Sequence, residues 1–588
     1  MSSSDLPLGR TENGKKVYID HKTRSTHMQI IGSSGEGKSK FMEHMIREDI
    51  LERNGLCLID PHGYLYNDIV TWAETHHLMD EPCPRQIVLF DPSEAGWAFG
   101  FNPLDTGSCD ESSIPYHVDA MVKAVAKVWG GEDTDRTPLL KRCLRVLFHA
   151  LAEKRLSLLE AGYLLDRVDK TVRSYLTRDL KSHVIRQEWD YFNTLTPKQF
   201  YDEFGSTINR MVEFLHAPAV CNVIGQTENT LNFSEMMDEG RVLLVNLASA
   251  DRISEDNARL LGTLIVNDLF MKAKGRPKGS RPFYLYIDEC ALFINEDIKR
   301  ILDEGRKFGL HLILAHQHLA QLRKAGEDIY HAVMTDAKTK VIFGGLNTED
   351  ARVLTEQIFL GELDLEEAKV TLNKPVVTGY IRTLLDSYSE GTGVTRGQAS
   401  SFSEGEGRSS SSMRGKSRGI SLQPLRDWSD FVYSFSRSDA EGESVSASWS
   451  ITESESNYES ETRTHGQSET LEPVLRTMPS QVYSLEEQIH KAMVSMVNQP
   501  MQHAIIKLPK KSPAFVRTPT VDDGWANDDR VARFKLASYE KADFIAPKAA
   551  IEERIRERHA RIEAAANGFA KGSPQGGGEQ DDKEDFYE

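Results

Sequence analysis

The chain has 588 residues, 39% hydrophobic and 27% charged, with a formal net charge of -18. That length suggests about two to four domains, and the negative charge excludes a protein that coats nucleic acid by bulk attraction while leaving room for a local basic channel. Six scattered cysteines, Cys57, Cys83, Cys109, Cys143, Cys221 and Cys290, include no CxxC pair, which argues against a disulfide framework or zinc site and suits a reducing compartment. No signal-peptide pattern is present and no apolar run reaches the roughly 20 residues a bilayer demands, so a cytoplasmic protein with no integral membrane segment is expected, peripheral to the inner membrane only through a partner.

Residues 1–105 read as alternating strand and helix. Short apolar runs at 28–31, 56–59 and 87–90 suit buried parallel strands. The intervening helix places Phe41, Met42, Met45, Ile46 and Ile50 on one face, and Gly55 is expected to end it. Between the first strand and this helix lies Gly32-Ser33-Ser34-Gly35-Glu36-Gly37-Lys38-Ser39, a complete phosphate-binding loop, followed by Lys40. Phosphate oxygens need many donors in a small space. Glycines let successive backbone N–H groups turn inward, and the following helix adds its N-terminal dipole. Lys38 is expected to reach the β- and γ-phosphates of ATP, and Ser39 to offer its hydroxyl to Mg²⁺. After the second strand, Asp60-Pro61-His62-Gly63 offers a buried turn or a polar face toward the nucleotide, the turn being the simpler reading.

Residues 106–235 change to helical spacing, as in Met121, Val122, Val125 and Val128, or Leu140, Cys143, Leu144 and Leu147. An all-α insertion is expected there. The strand pattern resumes over 236–386, with runs at 242–247, 283–287, 311–315 and 340–343 and helices at 259–272 and 298–308. Alternation of this kind predicts an α/β fold with a mostly parallel, doubly wound sheet. The run Tyr284-Leu285-Tyr286-Ile287 delivers Asp288 and Glu289 to a strand's carboxyl end, where open α/β sheets bind ligands. With the phosphate loop upstream, Asp288 is expected to hold Mg²⁺ and Glu289 to polarise the attacking water. Gln317, at the tip of the next strand, is placed to sense a γ-phosphate. Arg306 has two readings: a finger that reaches a neighbouring subunit's nucleotide, or a surface cation favouring a helix C-terminus. Lys272, Lys274, Arg276, Lys278 and Arg281 form a basic loop, read as solvated rather than phosphate-binding.

Residues 387–470 are dominated by Ser, Glu, Gly and Arg, a composition that predicts a mostly disordered insertion, broken by a short apolar stretch at 428–435. Over 471–525 the chain is expected to return to the core. Ser484-Leu485-Glu486-Glu487 reads as a capping box opening a helix, and 504–508 as a strand. The remainder, 526–588, reads as a charged helix with a Gly-rich, acidic tail from 573.

Taken in order, THMQIIGSSGEGKSK, LCLIDPHG, VLFDPSEAGWAFGFNPLD, LNFSEMMDEGRVLLVNLA, FYLYIDECALFI and EGRKFGLHLILAHQ resemble the HerA/FtsK superfamily of ring-forming P-loop ATPases, above all TraG/TraD-type coupling ATPases of conjugative type IV secretion. The resemblance spans roughly 8–385, with an echo at 480–520. It implies a RecA-like core and an ATP- and Mg²⁺-dependent hydrolase working as a hexamer around DNA. It also strengthens Arg306 as a trans-acting finger and Gln317 as the γ-phosphate sensor. A relaxase, secretion-channel or nuclease partner is implied. Two other functions stay open: a HerA-like ATPase paired with a nuclease in DNA processing or phage defence, and an ATP-dependent assembly or recruitment protein that moves no DNA. Coupling proteins often carry N-terminal membrane helices and HerA proteins a small β-barrel; neither is expected in the first 25 residues.

Overall fold

The computed structural model describes residues 5–78, 80, 86–106, 111–130, 138–227, 229–230, 232–248, 253–293, 296–359, 484–542 and 545–572; between 360 and 483 only strand backbone is described. The chain divides into two compact units, one of Met1–Ile358 with Met493–Glu588 and one of Phe359–Ala492.

The first unit is built on an eleven-stranded sheet. Its strands are β1 (Leu6–Arg10), β2 (Lys16–Ile19), β3 (Met28–Ile31), β4 (Gly55–Asp60), β5 (Ile87–Phe90), β6 (Val242–Asn246), β7 (Phe283–Ile287), β8 (Leu310–His316), β9 (Thr339–Phe343), β10 (His503–Lys507) and β11 (Ala514–Arg517). Their spatial order is β2-β1-β11-β10-β9-β3-β8-β7-β4-β6-β5. From β9 to β5 every pairing is parallel; from β9 to β2 every pairing is antiparallel. The parallel strands are buried along their whole length, as covering both faces of a parallel sheet requires. That explains why they read as continuous apolar runs. The strands expected from those runs are present, each within a residue or two of its predicted bounds.

The turn after the phosphate-loop helix differs from the expectation. The helix Lys38–Leu51 is capped by Glu52, and Arg53 takes the left-handed conformation at φ 59°. Gly55 instead opens β4, where a Cβ would lie 2.8 Å from Gly240 Cα. A glycine stands there for close approach of two backbones, not to end a helix.

Between β5 and β6 the chain forms a run of helices from Ile114–Gly130 to Phe233–Glu239, with Trp189, Phe192, Phe200 and Phe204 fully buried among them. Past β11, the helix Asp528–Lys541 packs on the helix Tyr64–Thr75. The strand Ile545–Pro547 pairs with Trp97–Phe99. The helix Lys548–Gly572 is tied down by Arg558 and His559, which contact the buried Glu160 carboxylate at 2.8 and 2.9 Å. The acidic tail lies outside the described residues.

In the second unit, the strands Lys374–Gly391, Glu404–Leu425, Trp428–Thr452 and Thr462–Met478 form a four-stranded antiparallel sheet. The disorder that composition predicts over 387–470 falls in this unit, of which only strand backbone is described between 360 and 483. The capping box is present: Ser484 N–H donates to Glu487 and Glu487 N–H to the Ser484 hydroxyl.

Candidate active site

The phosphate loop joins the carboxyl end of β3 to the helix Lys38–Leu51. Gly35 and Gly37 have φ of 86° and 111°, conformations that only glycine adopts cheaply. At Gly32 a Cβ would lie 2.5 Å from Phe343 Cβ, so the loop can leave the sheet only without a side chain. Lys38 begins the helix and is buried. Its Nζ donates to Gly32 O at 2.7 Å and Ser33 O at 2.9 Å, folding the ammonium back over the loop. Burial pushes its pKa down, opposed by Glu289, Asp288 and Glu36. Ser39 is exposed on the first helical turn.

Asp288 and Glu289, which follow β7, place their charge on Lys38, and Asp60 at the end of β4 places its charge on Asp288. Asp288 follows β7 and is buried; burial, then Asp60, then Glu289 raise its pKa to about 6. Such crowding of carboxylates is what a divalent cation relieves. Mg²⁺ would suit this chemistry, and Asp288 and Ser39 are the residues that would hold it. Glu289 sits at φ 44°, a left-handed backbone that costs energy for a side chain with a Cβ and persists only where its surroundings hold it. Gln317 Nε2 donates to Glu289 Oε1 at 2.6 Å. Asp60 accepts the backbone N–H groups of His62 and Tyr66, both at 2.9 Å, which makes it the turn former of the simpler reading. Its charge still reaches Asp288.

Lys38, Asp288, Glu289 and Gln317 are thus brought together, and Arg306 is not among them. Arg306 lies in the 3₁₀ turn Gly305–Phe308, before the amino end of β8. Its electrostatic partners include His27 and His311, at the amino ends of β3 and β8. The seven residues of β8 separate the two edges by about 20 Å. Arg306 is exposed and makes no side-chain hydrogen bond among the described residues.

The basic loop divides. Arg276 is wholly enclosed, donating to Asp238, Phe308 O and Arg281 O at 2.8, 3.0 and 2.9 Å, and so pins the turn that carries Arg306. Arg281 donates to Glu239 O and Arg53 O, and Lys274 to Tyr116. These cations are occupied with structure.

A buried polar relay beneath the loop escaped sequence reading. Lys340 Nζ on β9 donates to Gln29 Oε1 at 2.8 Å. Gln29 Nε2 on β3 lies 2.9 Å from His316 Nε2 on β8, and His316 precedes Gln317. Burial lowers Lys340 to about 7 and His316 to about 3. A glutamine inside the otherwise apolar run 28–31 was the available signal.

A phosphate loop opposite an Asp-Glu pair, at the carboxyl edge of a parallel sheet, defines a P-loop NTPase of RecA-like architecture. Two family models then match successive stretches: residues 6–249 match the central domain of helicase HerA, and residues 247–377 the DNA-binding domain of type IV secretion-system coupling proteins. Together the two models cover residues 6–377, so the chain is similar to the HerA central domain in its first part and to the coupling-protein DNA-binding domain in its second. Among solved structures, it is similar to the unbound monoclinic form of the bacterial conjugative coupling protein TrwBdeltaN70, at 12% identity and a TM-score of 0.50, over 88% of this chain and 90% of that one. It also matches plasmid coupling protein TrwB in complex with ADP and Mg²⁺ (13% identity, TM-score 0.48, 89% and 91% covered). VirB4 of Thermoanaerobacter pseudethanolicus matches at 13% identity and TM-score 0.40, over 62% of this chain and 90% of that one. At 12% identity the first of these likenesses speaks for fold alone. No curated protein matches the chain in sequence. Among the described residues, no helix is long and apolar enough to cross a membrane.

Proposed function

We propose that the chain is an ATP-hydrolysing motor that moves DNA, built as a ring of identical subunits, in a conjugative or related transfer system. The observation that carries the proposal is the meeting of Lys38, Asp288, Glu289 and Gln317 at the mouth of a complete phosphate loop. Lys38 is held by two neutral carbonyls, which an anionic phosphate can displace because it adds an ion–ion attraction that a neutral carbonyl lacks. Bound ATP with Mg²⁺ supplies the transferable phosphoryl group and the cation that neutralises its charge. Asp288 and Ser39 are the residues for the cation. Glu289 is the base or orienting group for the attacking water. The Gln317 amide has two hydrogens; one engages Glu289, leaving the other to report the γ-phosphate. Arg306, on the opposite edge, serves a neighbour's site.

DNA as the substrate is supported by the coupling-protein DNA-binding domain matched over 247–377. With a net charge of -18, DNA contact must be local to a channel. The deciding experiment measures ATP turnover with and without DNA at low salt. Strong stimulation, lost in Lys38→Ala, is expected. Turnover indifferent to DNA, with no DNA binding, would overturn the motor and favour an assembly role.

A further inference from the structure

The sheet order fixes which way a nucleotide must lie. Asp288, Glu289 and Gln317 follow β7 and β8, on one side of β3. A nucleotide whose terminal phosphate faces them carries its sugar and base over the other side of β3, above the carboxyl end of β9 and the adjoining end of antiparallel β10.

Two loops close that side, and both are fastened to the phosphate loop. Ser33 N–H donates to Gly344 O at 3.1 Å, and Gln502 N–H donates to Glu36 O at 3.2 Å. The Ser33 hydroxyl donates to Gly345 O, and Gly345 N–H to Val497 O at 3.0 Å. Residues 500–503 make a tight turn closed by His503 N–H to Pro500 O at 3.0 Å. In it Gln502 is left-handed, φ 62°, where glycine or asparagine is usual. The conformation is held from both sides: the Gln502 N–H by Glu36, and its carbonyl by Thr518 N–H and hydroxyl at 2.9 and 3.0 Å. A strained, doubly anchored turn beside a ligand loop is where pre-organisation is stored. Its leading side chain is Met501, which is 67% exposed. An exposed methionine by itself is ordinary surface. This one stands on the strained turn, on the side of β3 where a base must fall.

We propose that Met501 and Gln502 form the nucleoside subsite of this ATPase, the Met501 thioether covering the face of a purine base, a contact sulfur makes favourably with aromatic rings. The subsite rests on the phosphate-loop reading given above. It is supplied by chain that returns only after the second unit, which is why no motif pointed to it.

The test compares binding of ATP and of inorganic triphosphate, each with Mg²⁺, to the full-length protein and to Met501→Ser. The native protein is expected to hold ATP more tightly than triphosphate. Met501→Ser weakens ATP about fivefold, leaving triphosphate affinity and melting temperature unchanged. Gln502→Gly, which relaxes the turn and removes its side chain, also weakens ATP selectively. Equal affinity of the native protein for both ligands overturns the subsite. So does a Met501→Ser protein that loses neither ligand or both alike. Failure of the native protein to bind either ligand overturns the phosphate-loop reading instead.

Discussion

The two edges of the central sheet carry polar clusters of opposite design. At the carboxyl edge, Lys38, Asp288, Glu289 and Gln317 surround a glycine loop whose partners are weak or mutually repulsive. The ammonium lies on neutral carbonyls, and one carboxyl is pushed to about 6 by burial and then by its acidic neighbours. Toward the amino edge, Arg24 and Asp49 form a fully buried pair with two hydrogen bonds of 2.6 and 2.5 Å. Tyr286 donates to the same carboxylate at 2.6 Å, and Tyr284 lies beneath the guanidinium, 3.6 Å away. The first cluster is unfinished without a ligand; in the second the charges are paired, with Arg24 Nε alone left without a hydrogen bond among the atoms of this pair. At the amino edge Arg306 is exposed. The difference separates residues proposed to do the chemistry from residues that hold the sheet; Arg306 has the address of the second group and the proposed function of the first.

Substitutions can break this comparison. Arg306→Ala should lower DNA-stimulated turnover by about 10³-fold, the scale of a finger that stabilises transition-state charge, with no change in thermal midpoint; normal turnover would return Arg306 to a surface cation. Glu289→Gln should cost about 10²–10⁴-fold in kcat, again without loss of stability. Asp49→Ala should do the reverse. It leaves a buried guanidinium unpaired and should cost about 3–5 kcal/mol in chemical denaturation. A mild effect there would mean that the pair is accessible to water.

Acid supplies the most graded test. Burial holds His27 at about 4 and His311 and His316 at about 3, against an ordinary 6.5. These groups are neutral in the fold, so their contribution is fully present above pH 6.5 and is lost as pH falls toward 4 and 3. At pH 5 each should have lost about 2 kcal/mol. Asp288, raised rather than lowered, works the other way and returns about 1 kcal/mol between pH 7 and 5. A lower denaturation midpoint at pH 5 than at pH 7 is expected; an equal or higher one would show that these histidines are not buried neutral.

Much of the site was legible because phosphate chemistry demands residue types in a fixed spacing: glycines, Lys38 and Ser39 in one loop, then an acidic pair ending an apolar strand. The parallel strands were legible because burial on both faces leaves an uninterrupted apolar run. The edge hairpin β1–β2 was not, since Leu6-Pro7-Leu8-Gly9-Arg10 contains both residues that usually interrupt strands. The three-residue strand Ile545–Pro547 was too short to signal. Arg276 looked like solvated charge because sequence does not reveal that Phe308 and Arg281 turn their carbonyls toward it. Asp49 and Arg24 are ordinary helix and turn residues until β7 brings two tyrosines over them.

We propose that Arg306 at the amino edge of one subunit completes the carboxyl-edge site of the next. Mixing two inactive proteins, Arg306→Ala and Lys38→Ala, tests it directly, because about a quarter of the interfaces in a randomly mixed ring would pair an intact Lys38 with an intact Arg306. DNA-stimulated ATP turnover should reappear on mixing. A mixture as inactive as its components, under conditions where the native protein forms rings, would contradict the claim.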